Sequence, residues 1–286
     1  MTARLPPLAE MLDLLPDAVC VVDAEGIFLY VSSTFEHILG YARADVLGRS
    51  VVDFIHPDDH AATMEQVNQV MAGNLQRHFR NRYVHRDGHS VDIQWSARWN
   101  PDYAVRIAVA REVTELRRAE QVLEHLANHD PLTGLPNRLY LQHALKQALA
   151  HAEQPGHNIA ILYLDLDRFK EANDTGGHEA GDQVLCEVAK RLQEFTRQGD
   201  LTARVGGDEF VVLLQGCKTS LDARNVAGIL RDRLRSPYTL PAGPLHLDAS
   251  FGIACFPEDG RDIDALLAHA DRDMYASKRQ HKERGK

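Results

Sequence analysis

"ARVGGDEFVVLL" occupies Ala203 to Leu214, and its reading decides the fold of the second half of the chain. An apolar lead-in reaches Gly206-Gly207, the carboxylates Asp208 and Glu209 follow, and a second apolar run closes the stretch. That is strand, tight turn, strand. Two adjacent like charges at a turn repel each other unless something positive lies between them, and a hard dication that prefers oxygen ligands meets the need. Glycines there also let a phosphate approach the backbone closely. A merely solvated acidic hairpin tip carries the same residues, so the stretch alone does not fix a function.

Upstream, "NIAILYLDLDRFKEAND" runs an apolar strand, Ile159 to Leu164, into Asp165-Leu166-Asp167. Residues two apart on a strand share a face, so two carboxylates project from one strand end. Acids often finish strands, and this feature too is ambiguous by itself.

The 286 residues suggest two domains, and 44% hydrophobic with 26% charged residues supports a core in each. A formal net charge of −9 argues against a binder of nucleic-acid polymers or anionic membranes. Cys20, Cys186, Cys217 and Cys255 are far apart and read as small apolar residues rather than disulfide or zinc ligands. Glu10 and Asp13 interrupt the N-terminal leucines, so a signal-peptide core is lacking, and no apolar run has spanning length. A cytoplasmic protein without membrane insertion is expected.

In the first half, "AVCVVDAEGIFLYVS" reads as a hairpin turning at Ala24-Glu25-Gly26, and "HFRNRYVHRDGHSVDIQWSARW" as another turning at Asp87-Gly88. Val91, Ile93, Trp95, Ala97 and Trp99 alternate with polar residues, giving one apolar face. Two strands, several small helices and three strands resemble a PAS domain, a likeness carried by "PDAVCVVDAEGIFLYVSSTFEHILGY", "HPDD" (56–59), "RDG" (86–88) and "VTELRRAE" (113–120). Such domains sense ligands, light or redox state, or dimerise. Trp95 and Trp99 are read as core rather than cofactor lining, and the PAS ligand, if any, is unknown. In "REVTELRRAEQVLEHLANHD", Leu116, Ala119, Leu123 and Leu126 recur at steps of three and four. This is a short two-strand coiled-coil seam, preferred here over an amphipathic helix lying on its own domain.

The second half resembles the GGDEF family of diguanylate cyclases. The likeness rests on "DPLTGLPNR" (130–138), "DLDRFKEANDTGGHEAGD" (165–182), "RVGGDEF" (204–210), "SFGIA" (250–254) and "ADRDMYASK" (270–278). The fold expected is therefore mixed α+β and α/β. It has a PAS fold over 8–115 (an antiparallel sheet with small helices), a helical linker over 116–128, and a GGDEF-type α/β sandwich over 129–286.

The resemblance implies an enzyme joining two GTP into cyclic di-GMP with loss of two pyrophosphates, using Mg2+ or Mn2+, two ions per active site. It makes Asp165, Asp208 and the Leu166 carbonyl the metal ligands, and Asp165, Asp208 and Glu209 the catalytic acids, without saying which acid takes the proton. Asn173 and Asp182 would hold guanine. Backbone N–H groups near Arg168, Phe169 and Lys170, with Gly206, Gly207, Lys278 and Lys282, would hold the rest of GTP. Lys282 stands where the family usually has arginine and His281 where it has glycine, which costs the bidentate fork. Gly176 replaces a commonly bulky residue and is expected to loosen the turn beside the base.

Arg197 and Asp200, an Arg-x-x-Asp pair nine residues before Gly206, match the family's product-inhibition site, although such pairs are also common surface ion pairs. A twofold product implies a homodimer regulated through the PAS unit. The alternative is a catalytically silent receptor for cyclic di-GMP, or a GTP-sensing module. Because the sequence ends at Lys286, no phosphodiesterase activity is expected.

Overall fold

A computed structural model describes residues 4–152, 158–217, 219–240 and 243–284, apart from the side chains of Thr175 and of residues 280 onward. The chain divides into two compact units, Met1–Val122 and Leu123–Lys286.

The first unit begins with α1 (Leu8–Asp13), β1 (Ala18–Asp23), β2 (Phe28–Val31), α2 (Ser33–Leu39) and α3 (Arg43–Val46). Short 3-10 turns, Val51–Phe54 and Pro57–Asp59, lead to α4 (His60–Met71), β3 (Gln76–Val84), β4 (Ser90–Asn100) and β5 (Val105–Glu112). The five strands form one antiparallel sheet in the order β2-β1-β5-β4-β3. Its core joins Phe28, Phe35, Phe54, Ile93 and Trp95, and Phe28 meets Phe35 and Phe54 edge-on. The alternation along β4 holds through Trp95, which is buried, but Trp99 is half-exposed. Trp95 is core, as expected, and it also borders a cavity. Helix α5 (Thr114–Asn128) follows, and Leu116, Ala119, Leu123 and Leu126 are all exposed, so their stripe is not laid down on the chain's own surface.

The second unit contains α6 (Arg138–Ala152), β6 (Ile159–Asp167), α7 (Phe169–Phe195), β7 (Leu201–Gly206), β8 (Glu209–Gln215) and α8 (Ser220–Leu234). A small hairpin, β9 (Tyr238–Leu240) with β10 (Gly243–Leu245), precedes β11 (Asp248–Cys255) and α9 (Ile263–Arg284). The main sheet runs β11-β6-β8-β7, every neighbour antiparallel. Helices cover both faces, and two cores result: Leu162, Leu164, Val188 and Phe210 on one side, Leu145, Ile161, Val211 and Leu266 on the other. Strand β6 is consequently buried at eight consecutive residues, which is why its sequence reads as an unbroken apolar run.

Gly252 explains "SFGIA". A Cβ there would overlap the Ala270 carbonyl and the Met274 backbone of α9, so only glycine lets that helix lie on β11. All four cysteines are free, and Cys20 and Cys255 are buried as small apolar residues. Cys186 differs: it is exposed, with its thiol directed at the Leu132 carbonyl at 3.3 Å.

Candidate functional site

The end of β6 and the β7–β8 turn meet because the strands are paired. Asp165 lies opposite Glu209 on one side and opposite Ser250 of β11 on the other. The Leu166 N–H donates to the Asp208 carbonyl at 3.3 Å, so Asp165, Leu166, Asp208 and Glu209 form one corner. Asp165 is buried although charged, and Asp167 is held by the Ser250 hydroxyl at 2.9 Å.

From α9, the Lys278 ammonium reaches into this corner and pairs with Asp165 at 2.5 Å. Burial pushes the Asp165 carboxyl up, the Lys278 hydrogen bond opposes that, and the neighbouring Asp208 adds to it. Burial alone would lower Lys278, but the hydrogen bond and charge of Asp165 outweigh it and raise the amine. Three carboxylates thus share one ammonium, and the donor set, all hard oxygen, fits a hard dication. Glu209 accepts from the Tyr163 hydroxyl at 3.2 Å, and burial first, then Glu209, pushes that phenol up to about 12.

The turn is braced from behind. Arg204 donates from Nε and Nη2 to the Gly207 carbonyl at 3.0 and 2.8 Å, while its Nη1 donates to both Asp130 oxygens at 3.0 and 2.9 Å. Asp130 also accepts from the Thr133 N–H and hydroxyl. Burial tends to raise Asp130, but the Thr133 and Arg204 bonds hold it below the ordinary carboxylate range. Neither Gly206 nor Gly207 takes left-handed backbone, so the turn does not require glycine for its dihedrals. A Cβ on Gly207 would meet none of the described residues within 4 Å, which leaves an open flank for close approach of a ligand.

At the start of α7, Arg168 adopts a left-handed conformation (φ 63°, ψ 23°) and turns the chain abruptly from β6 into the helix. Phe169 and Lys170 therefore occupy its first turn, where backbone N–H groups lack helical acceptors. A break at Gly177 (φ 76°, ψ 175°) divides α7. Across that break Asn173 and Phe169 press against Gly181, where any Cβ would overlap the Asn173 amide, so Asn173 packs on the residue that precedes Asp182. A Cβ on Gly176 would come within 2.5 Å of the Ala180 methyl, so this conformation has no room for a side chain there. Next to Arg168 and Lys278 opens a cavity of about 440 Å³ that Arg235, His246 and Asp248 also line.

Arg197 and Asp200 belong to a separate place, the loop from α7 to β7. Asp200 accepts from the Arg197 and Gln215 N–H groups at 3.1 and 2.9 Å, and among the described residues the two side chains form no ion pair. The Lys282 side chain lies outside the described residues. Asp130, Arg204, Gly181 and Tyr163 stand within the quoted motifs, but nothing in the sequence alone assigns them a role. The only signal for them was their place in those motifs.

The chain matches two family models: "PAS fold" over residues 8–122 and "Diguanylate cyclase, GGDEF domain" over residues 127–284. It is 34% identical over 278 residues to the cyclic di-GMP phosphodiesterase PdeR of Escherichia coli, covering 91% of this chain and 40% of that protein. With the diguanylate cyclase TpbB of Pseudomonas aeruginosa it shares 43% identity over 159 residues, 55% of this chain and 37% of that one. The structure of the coiled coil and GGDEF domain of DgcB from Caulobacter crescentus, in complex with c-di-GMP, superposes with a TM-score of 0.53 at 29% identity. That superposition covers 59% of this chain and 89% of the DgcB chain. Among the first curated relatives the chain spans between 21% and 40% of the relative's length. No helix among the described residues is long and apolar enough to cross a membrane. The paired strands, the acidic corner and both family models agree: the chain belongs to the diguanylate cyclase GGDEF-domain family, with a PAS fold ahead of that domain.

Proposed function

We propose that this chain condenses two GTP molecules into cyclic di-GMP. The observation that carries the reading is the meeting of Asp165, Asp208 and Lys278 beside the open flank at Gly207. Each 3′-oxygen attacks the α-phosphorus of the other nucleotide, the bond to pyrophosphate breaks, and the hydroxyl proton is lost. Mg2+ or Mn2+ ions held by Asp165, Asp208 and the Leu166 carbonyl would supply charge neutralisation at the attacking and leaving oxygens.

The chain's own groups do the rest. Phosphate oxygens take the free N–H groups of Phe169 and Lys170 at the α7 terminus. Lys278 exchanges Asp165 for phosphate. Asn173 and Asp182 receive the guanine edge, whose adjacent donors suit a carboxylate, and leaving them unpaired against adenine gives discrimination. Asp208 and Glu209 flank the attacking hydroxyl, and the Arg204 brace fixes their turn. Arg197 and Asp200 form the product-inhibition site, and the reaction needs two protomers, each holding one GTP. The PAS unit sets how often they face each other.

A second reading is favoured by the phosphodiesterase-named relative, which aligns over both units: a silent domain that senses GTP or binds cyclic di-GMP. Product analysis separates the two. Protein stripped of bound nucleotide is incubated with GTP and Mg2+, beside Asp208→Ala. Cyclic di-GMP from the parent and none from the variant supports the cyclase. Folded, dimeric parent that binds GTP but makes no product supports the second reading.

A further inference from the structure

The core of the first unit contains a charge that no contact of the fold accounts for. Arg106 lies on the interior face of β5, alternating with Ala108 and Ala110, and is only 7% exposed. Among the described residues its guanidinium makes no hydrogen bond and no ion pair. Asp23 attracts it only from beyond salt-bridge distance, and burial weakens its hold on the proton. An uncompensated buried cation is strongly unfavourable.

Beside it is a cavity of about 60 Å³. Small side chains create the space, since Ala108 fills little of the layer beneath α4. Three polar neighbours are already satisfied: Trp95 Nε1 donates to Asn81 Oδ1 at 2.8 Å, Asn81 Nδ2 to Thr63 Oγ1 at 3.0 Å, and Thr63 to the Asp59 carbonyl at 2.7 Å. In the interior two strong donors remain, the Arg106 guanidinium and the hydroxyl of Tyr83, a residue 4% exposed whose phenol burial pushes far up. Val22, Phe28, Ile55, Ala108 and the buried Cys20 make the rest of the inner wall, while the amides of Gln66 and Gln76 stand at its edge. Gln66, Val67, Gln76 and Phe79 border the cavity and are half-exposed, which places its way in between α4 and the irregular start of β3.

We propose that this cavity is a binding site for a small aliphatic monocarboxylate, its carboxylate paired with Arg106 and Tyr83 and its chain against Val22, Phe28 and Ile55. A carboxylate matches a guanidinium with two parallel hydrogen bonds, and the apolar wall selects a hydrocarbon body over an inorganic anion. At roughly 10–15 Å³ per water-sized position, the volume accepts about four to six heavy atoms. Propionate and butyrate have that size.

The test uses the full chain after exhaustive dialysis. Both tryptophans, Trp95 and Trp99, lie in this unit, so thermal unfolding followed by their fluorescence reports on it directly. Sodium butyrate and propionate are titrated into the parent, Arg106→Met and Arg106→Gln, with butyramide and sodium chloride as controls. The expected result is a saturable upward shift with the acids. The apparent affinity should be weaker by about 10- to 100-fold for butyramide, and by as much in either variant, the loss typical of a charge-assisted pair. Without ligand, Arg106→Met should unfold no lower than the parent, because the buried charge is gone.

The proposal falls if neither acid shifts the parent, if chloride shifts it equally, or if the variants respond as the parent does. It also falls if Arg106→Met lowers the ligand-free transition, since the protein would then itself be holding the guanidinium.

Discussion

Asp130→Ala tests the brace behind the acidic turn. The variant removes both bonds to Arg204 Nη1 and both to Thr133, four contacts between 2.7 and 3.0 Å. Arg204 and Asp130 keep only 13% and 19% of their side-chain exposure, so the pair is mostly but not wholly dry. Truncating one partner of a buried pair costs about 3–5 kcal/mol, and the residual exposure with the retained bonds to Gly207 brings the expectation to about 2–3 kcal/mol.

Tryptophan fluorescence would follow the other unit, since both tryptophans are there. The readout is therefore pulsed hydrogen exchange along a urea gradient, scored on peptides from β8. A double-mutant cycle with Arg204→Met isolates the pair, with a coupling of at least about 1 kcal/mol expected. A loss below about 0.5 kcal/mol, or single-variant effects that simply add, would refute the brace.

Gly181→Ala should raise the KM for GTP at least about tenfold with little change in global stability, because the new methyl displaces the Asn173 amide; an unchanged KM would remove Asn173 from the base pocket. Among the described residues the buried Thr202 hydroxyl has no partner, so Thr202→Val should be neutral or stabilising by up to about 1 kcal/mol in urea unfolding. A clear loss would reveal a bond the present conformation lacks. At Asp248, burial raises the carboxyl but hydrogen bonds from Arg235 and Arg231 outweigh it and hold it far below its ordinary value. A depressed carboxyl gives stability that is complete above its unfolded pKa, near 3.9, and is lost as pH falls toward the folded value. Asp248→Asn should therefore cost about 2 kcal/mol at neutral pH, with the penalty shrinking below about pH 4. A penalty independent of pH would contradict the ion-pair account.

Much of this was legible in the chain. The acids at 165, 208 and 209 announce themselves because like charges at a strand end and a turn are costly unless used. The hairpins of the first unit follow from period-2 alternation and from Gly26 and Gly88, both left-handed in the structure. Arg204 and Asp130 were not legible as partners, because 74 residues separate them and only the sheet register brings them together. Gly181 and Gly252 look like ordinary glycines until the atoms that would strike a Cβ are known. Arg106 is the lone polar residue in Val105 to Ala110, and only the structure shows that it is buried.

The segment after α5 carries a mechanical consequence. The Asn137 amide and N–H donate to the Ala127 and Asn128 carbonyls, the last two residues of that helix, at 2.7 and 2.8 Å. Next door, the Arg204 N–H donates to the Pro136 carbonyl at 2.9 Å, and the same arginine grips Asp130 and the Gly207 carbonyl. The end of α5 is thus geared to the turn bearing Asp208 through short, directional links rather than a slack tether. A twist of the last turn of α5 would load these bonds first, and through them the turn bearing Asp208.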